Sequence, residues 1–211
     1  MAGRIVTVAQ QKGGSGKTTL AVNLAVAAVR AGHSVALIDT DPQGSLGRWF
    51  MTRLERLEGA PDMEFSTASA WGIGYEVGKM SRENDLVIID TPPKVDSDLK
   101  PALRAADLVL VPIATSHVDL WATEGVLDLA DRVGVKTLLV LNRTRSGTRL
   151  GAEVADAAAQ TDAELATANL ANRIVYAETL GEGFGAQESR KRGAAQAEVD
   201  ALLTEVLAQL G

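Results

Sequence analysis

The sequence predicts an α/β protein: a mostly parallel sheet with helices on both faces. Short, branched aliphatic runs recur along the chain at Ile5–Ala9, Val35–Asp39, Leu86–Asp90, Leu108–Pro112 and Thr137–Asn142. Buried parallel strands read this way, as near-continuous apolar stretches. Helix-period segments lie between and after them, near 17–31, 44–56, 72–82, 97–105, 119–132 and 149–160. Strand–helix alternation of this kind argues for a parallel sheet covered on both sides. The chain is 46% hydrophobic but only 4% aromatic, so its core must be built from Ala, Val, Leu and Ile.

The first strand enters Gln10-Gln11-Lys12-Gly13-Gly14-Ser15-Gly16-Lys17-Thr18-Thr19 and then the first helix. Glycines let the backbone curl so that successive N–H groups face phosphate oxygens, and the helix N-terminus adds a favourable dipole. Lys17 is placed to reach the β- and γ-phosphates of a nucleotide, and the Thr18 hydroxyl to ligate Mg²⁺. An ordinary glycine turn does not require strand, Gly-Lys-Thr and helix in that order. The general pattern wants a glycine five positions before Gly16. Gln11 stands there instead, and Lys12 precedes Gly13-Gly14.

The second strand, with the residues just after it, supplies Asp39 and Asp41, and the strand 86–90 ends in Asp90. Ligands of open α/β sheets sit at the carboxyl ends of the strands, so the three acids can converge on the loop. Mg²⁺ keeps several waters and takes few protein ligands, which suits Asp90 and Asp39 acting through water. Asp41 is the candidate for orienting an attacking water, because phosphoryl transfer depends mainly on positioning and charge stabilisation. Strand-end aspartates also cap helices, and that reading stays open for each of them taken singly.

Further along, Asn142-Arg143 closes the strand 137–142. The region 161–186 is less regular, and Gly181, Gly183 and Gly185 suggest a loop. Val199, Leu202, Leu203, Val206, Leu207 and Leu210 recur at helical spacing, so about 188–210 reads as a C-terminal amphipathic helix. Basic residues cluster twice, at Arg143, Arg145 and Arg149 and at Arg190, Lys191 and Arg192. Each cluster fits a solvated face, or a patch that meets DNA phosphates without reading bases. At 211 residues, with no repeat or low-complexity linker, residues 1–211 are expected to form one domain.

The box Lys12-Gly13-Gly14-Ser15-Gly16-Lys17-Thr18-Thr19 resembles the deviant Walker A motif of the ParA/MinD ATPases, whose fold is of the P-loop NTPase type. Asp39-Thr40-Asp41-Pro42-Gln43 resembles that family's second box, Asp90 stands at its Walker B acid, and Asn142-Arg143 resembles its Asn-Arg pair. The stretches 118–124 and 172–176 look like the short plasmid-partition ParA proteins that lack an N-terminal helix-turn-helix domain, for which there is no room before residue 4. The resemblance implies bound ATP and Mg²⁺, with Lys12 reaching a partner's nucleotide across an ATP-sandwiched homodimer. It implies that Asp41 is needed for hydrolysis and that Asn142 reads the adenine edge. It further implies non-specific DNA binding by C-terminal-region basic residues and a cargo-bound activator protein.

Several classes are excluded or disfavoured. No cysteine is present, so disulfides, zinc-thiolate sites and cysteine-held clusters are ruled out. No apolar leader precedes residue 4, and the longest apolar stretch, Leu20 to Val29, is too short to span a bilayer. The C-terminal segment has no Lys or Arg after Arg192, which argues against a basic helix lying on lipid as in MinD. The net charge of -6 leaves any DNA contact to a local patch. The expectation is a cytoplasmic ATPase, nucleoid-associated when ATP is bound, that partitions or positions plasmid or protein-cluster cargo. The alternative is an ATP-dependent regulator that binds and inhibits a partner without DNA.

Overall fold

A computed structural model describes residues 2–93, 99–190 and 193–211. Lys191 and Arg192 lie outside the described residues. The first strand, β1 (Arg4–Val8), sits in the middle of a sheet whose described pairings are all parallel. On one side it pairs with β4 (Leu86–Asp90), which is followed by β2 (Val35–Asp39) and the edge strand β3 (Glu64–Thr67). On the other side come β5 (Leu108–Ala114) and β6 (Lys136–Thr144). Two short strands, β7 (Glu164–Leu165) and β8 (Leu170–Ala171), pair with β6.

Side-chain alternation divides the core into two layers, as the pleat demands. Val35 and Leu37 of β2, with Leu108 and Leu110 of β5, point to one face. There they meet α1 (Lys17–Arg30), α2 (Ser45–Arg56), α8 (Ile174–Gly181) and α9 (Ala194–Leu210). Ala36 and Ile38, with Val109, Val111 and Ile113, point to the other. That face is covered by α3 (Ile73–Met80), α4 (Leu99–Ala105), α6 (Glu124–Val133) and α7 (Arg149–Ala158). The sheet with helices on both faces is therefore as the apolar runs predict.

Some elements differ from expectation. β3 has the sequence Glu-Phe-Ser-Thr at a sheet edge, too polar to read as a buried strand. The helix expected over 119–132 is broken into α5 (His117–Trp121) and α6, with Thr123 between them turning its hydroxyl back onto the Leu120 carbonyl at 2.6 Å. The loop expected over 161–186 is corrected. It contains β7, β8 and α8, with irregular chain at 161–163, 166–169, 172–173 and after Gly181. The two strands are too short to show a period, and their pairing is supplied by β6. α9 starts at Ala194 rather than 188, after a short 3-10 turn at Ala186–Glu188. Glu205 of α9 accepts the N–H groups of Thr167 and Ala168, and Glu198 accepts that of Ala171. The C-terminal helix thus holds the irregular edge of the sheet.

Candidate nucleotide site

The strand register brings the acids together. Val8 of β1, Asp90 of β4 and Asp39 of β2 occupy one row across three adjacent strands, all at their carboxyl ends. The loop 9–16 leaves β1 at the same edge and hands over to α1. Gly14 and Gly16 take φ of +76° and +95°, a region L side chains rarely adopt, and Gly16 caps the helix. Lys17, Thr18 and Thr19 then form its first turn, where helical N–H groups lack partners within the helix and attract anions.

Lys17 is buried, and burial pulls its ammonium below the usual lysine range while Asp90 and Asp41 oppose that shift. The Thr18 hydroxyl donates to Asp90 Oδ2 at 2.6 Å. Asp90 is 1% exposed. Burial pushes its carboxyl up to about 7, against the Thr18 hydrogen bond and the Lys17 charge. Its other oxygen, Oδ1, has no hydrogen-bond partner among the described residues. A buried carboxylate oxygen without a donor is costly. A hydrated cation beside Thr18 would satisfy it, so these residues fit Mg²⁺. Asp39 also serves the chain locally. Its Oδ1 accepts the Asp41 N–H at 2.9 Å and its Oδ2 the Gly47 N–H at 3.0 Å, which shapes the turn into α2. Asp41 is half-buried, and its Oδ1 accepts the Gln43 N–H at 2.9 Å.

Lys12 behaves unlike Lys17. Its side chain is 39% exposed, and its Nζ lies 2.8 Å from Asp119 Oδ2 on α5. Ser116 caps α5 and also bonds that carboxylate. Gln10, 1% exposed, anchors the loop: its Oε1 accepts the Gln11 N–H at 2.8 Å and its Nε2 donates to the Pro112 carbonyl at 3.3 Å. Sequence reasoning missed both Asp119 and Gln10. Nothing in their local pattern marks them, because β5 lies beside β1 only in the sheet. Asn142 does reach the loop, donating from Nδ2 to the Ser15 carbonyl at 2.8 Å.

Among the described residues, the candidate arginines do not gather in one place. Arg143 is exposed with φ +54°, and Arg145 and Arg149 line one hollow beside the N-terminus of α7. Arg149 is paired with Glu153 at 2.8 Å. Arg190, exposed, lines a separate hollow with Arg56, Glu178 and Glu182.

Residues 6–182 match the CobQ/CobB/MinD/ParA nucleotide binding domain family. The chain belongs to this family. Among ParA/MinD relatives, the carboxysome-distribution protein named Maintenance of carboxysome distribution protein A of Halothiobacillus neapolitanus is 27% identical over 210 residues, spanning 96% of this chain and 95% of that protein. The chromosome-partitioning ATPase Soj of Thermus thermophilus is 33% identical over 155 residues, 62% of each chain. The solved structure of septum site-determining MinD from Pyrococcus horikoshii, complexed with Mg-ADP, superimposes with a TM-score of 0.81. It is 20% identical and the match covers 97% of both chains, a likeness of ParA/MinD fold. Among the described residues, no helix is long and apolar enough to cross a membrane.

Proposed function

We propose that the chain is an ATPase that binds ATP with Mg²⁺ and forms a homodimer with the two nucleotides in its seam. The observation that carries this reading is the division of labour between two lysines on one loop. Lys17 is buried beneath the loop beside Asp90, suited to phosphates bound in the same subunit. Lys12 is partly exposed and, among the described residues, its ammonium is tied to Asp119 of α5, so its charge can be lent to a second subunit.

Within the site, the loop N–H groups and Lys17 hold and neutralise phosphate oxygens. Thr18 and Asp90 hold Mg²⁺, with Asp39 close in the same row and acting through water. The metal supplies charge neutralisation at the β- and γ-phosphates when bound. Asp41, at the mouth of the turn after β2, orients the attacking water. The ATP-bound dimer then binds DNA non-specifically through exposed arginines, of which Arg190 is the leading candidate and Arg143, Arg145 and Arg149 follow. A cargo-bound activator stimulates hydrolysis and release. The names of these relatives, carboxysome distribution and chromosome partitioning, support cargo positioning or partition as the class of task.

Retention on non-specific duplex at low salt, with ATP, a non-hydrolysable analogue or ADP, tests the DNA step. The reading expects retention with ATP or its analogue only. A protein that hydrolyses ATP but never retains DNA would instead support the partner-inhibiting regulator.

A further inference from the structure

β1 and β5 separate at a single side chain. Val8 lies opposite Leu110, and the Ala9 N–H donates to the Leu110 carbonyl at 3.0 Å. In a parallel ladder the rungs that follow would run from the Pro112 nitrogen to the Ala9 carbonyl and from the Gln11 N–H to the Pro112 carbonyl. The first cannot form, because proline has no N–H. In the place of the second stands the amide of Gln10, a residue 1% exposed. Its Oε1 accepts the Gln11 N–H at 2.8 Å, and its Nε2 donates to the Pro112 carbonyl at 3.3 Å. The side chain is thus spliced between two backbone groups that would otherwise pair with each other.

The splice holds the chain at Gln11 off β5 by the width of an amide, and Lys12 is the next residue. Its N–H also points at Gln10 Oε1, at the long distance of 3.5 Å. β5 is fixed from its other side, where Pro112 lies opposite Val140 of β6 and the pairing runs on to Ala114 opposite Asn142. Ser116 then caps α5, whose Asp119 holds the Lys12 ammonium at 2.8 Å. The lysine therefore spans a gap with one wall fixed by the sheet and the other set by Gln10. A side chain of similar length without the amide would leave the Gln11 N–H and the Pro112 carbonyl either unpaired or closed on each other.

We infer that Gln10 is a positioning residue for Lys12: standing where a backbone rung would, its amide sets where the lysine side chain starts and what it can reach. The inference rests on the reading that Lys12 serves a second subunit. It sets the two lysines apart once more, because Lys17 is carried by α1 and not by the end of β1.

The test compares wild type with Gln10→Met, of similar length but without the amide, and Gln10→Glu, which keeps an acceptor for Gln11 but as a carboxylate cannot donate to Pro112. In ligand-free protein, acetylation of each lysine by a soluble active ester is read by peptide mass spectrometry. Both variants should acetylate faster at Lys12, while buried Lys17 and exposed Lys79 keep their wild-type rates. Light scattering with Mg²⁺ and a non-hydrolysable ATP analogue should show dimer affinity falling by about tenfold, the order of one hydrogen bond. Affinity of the monomer for the analogue, measured with Lys12→Ala in the background, should not fall with it. Unchanged acetylation at Lys12 in both variants would overturn the inference. So would a rise shared by Lys17 in both, or a monomer affinity that falls as far as dimer affinity, since either would mean that Gln10 holds the whole loop. Wild type that stays a monomer with the analogue would contradict the two-subunit reading instead, and acetylation at Lys12 would still decide whether Gln10 places it.

Discussion

Lys12 Nζ and Asp119 Oδ2 lie 2.8 Å apart, joining the loop 9–16 to α5 across 107 residues of chain. Asp119 is 6% exposed, so the lysine is the counter-charge of a nearly buried carboxylate. Any second subunit that recruits Lys12 must compete with this contact. Because Lys12 is itself partly exposed, the pair is worth only about 0–1 kcal/mol. Asp119→Asn keeps the shape and removes the competing charge. It should let the ATP-analogue dimer form at protein concentrations up to about fivefold lower, measured by light scattering against concentration. A dimer weakened by this change would mean that Asp119 supports dimerisation.

Asp41→Ala should slow ATP hydrolysis by about 10²–10⁴-fold, the usual contribution of a positioned acid or base. Binding of ATP should survive, because Asp41 sits beyond the loop and its mapped hydrogen bond is local, to Gln43. Steady-state turnover beside equilibrium nucleotide binding checks both halves. Turnover near wild type would remove Asp41 from the mechanism.

Arg53 is 3% exposed and carries two carboxylates, Asp62 at 2.6 Å and Glu188 at 2.8 Å, besides the Gly183 carbonyl at 3.1 Å. It ties α2 to the turn before α9. Arg53→Met strands both acids without their cation and should cost about 3–5 kcal/mol of stability, as breaking a buried pair does. Denaturant unfolding measures this. A loss below about 1 kcal/mol would mean that water replaces the guanidinium.

Arg190→Ala should weaken ATP-dependent DNA retention equally for all sequences and flatten its salt dependence by about one unit, the mark of one lost phosphate contact. Basal ATPase activity should stay unchanged. Retention across a salt series is the measurement, and an unchanged slope would move the DNA surface elsewhere.

The sheet and the glycine loop between β1 and α1 were legible because both are written locally. Buried parallel strands demand aliphatic runs, and a phosphate cradle demands glycines with a lysine and a hydroxyl at fixed spacing. Asp90 was legible for the same reason, as a carboxylate closing an apolar strand. β3 was not, since an edge strand needs no continuous apolar run, and neither were β7 and β8, whose existence depends on β6. Asp119 and Gln10 were invisible because their partners, Lys12 and Pro112, are neighbours through the sheet rather than along the chain. The role of Asp39 in shaping a turn, and that of Asn142 in holding Ser15, likewise needed the third dimension.

The central claim is that the two lysines serve different subunits, and light scattering with Mg²⁺ and a non-hydrolysable ATP analogue tests it most directly. Wild type should shift from the mass of one chain to that of two. Lys17→Ala should bind the analogue poorly, while Lys12→Ala should bind it and remain a monomer. A Lys12→Ala protein that dimerises as well as wild type would contradict the account.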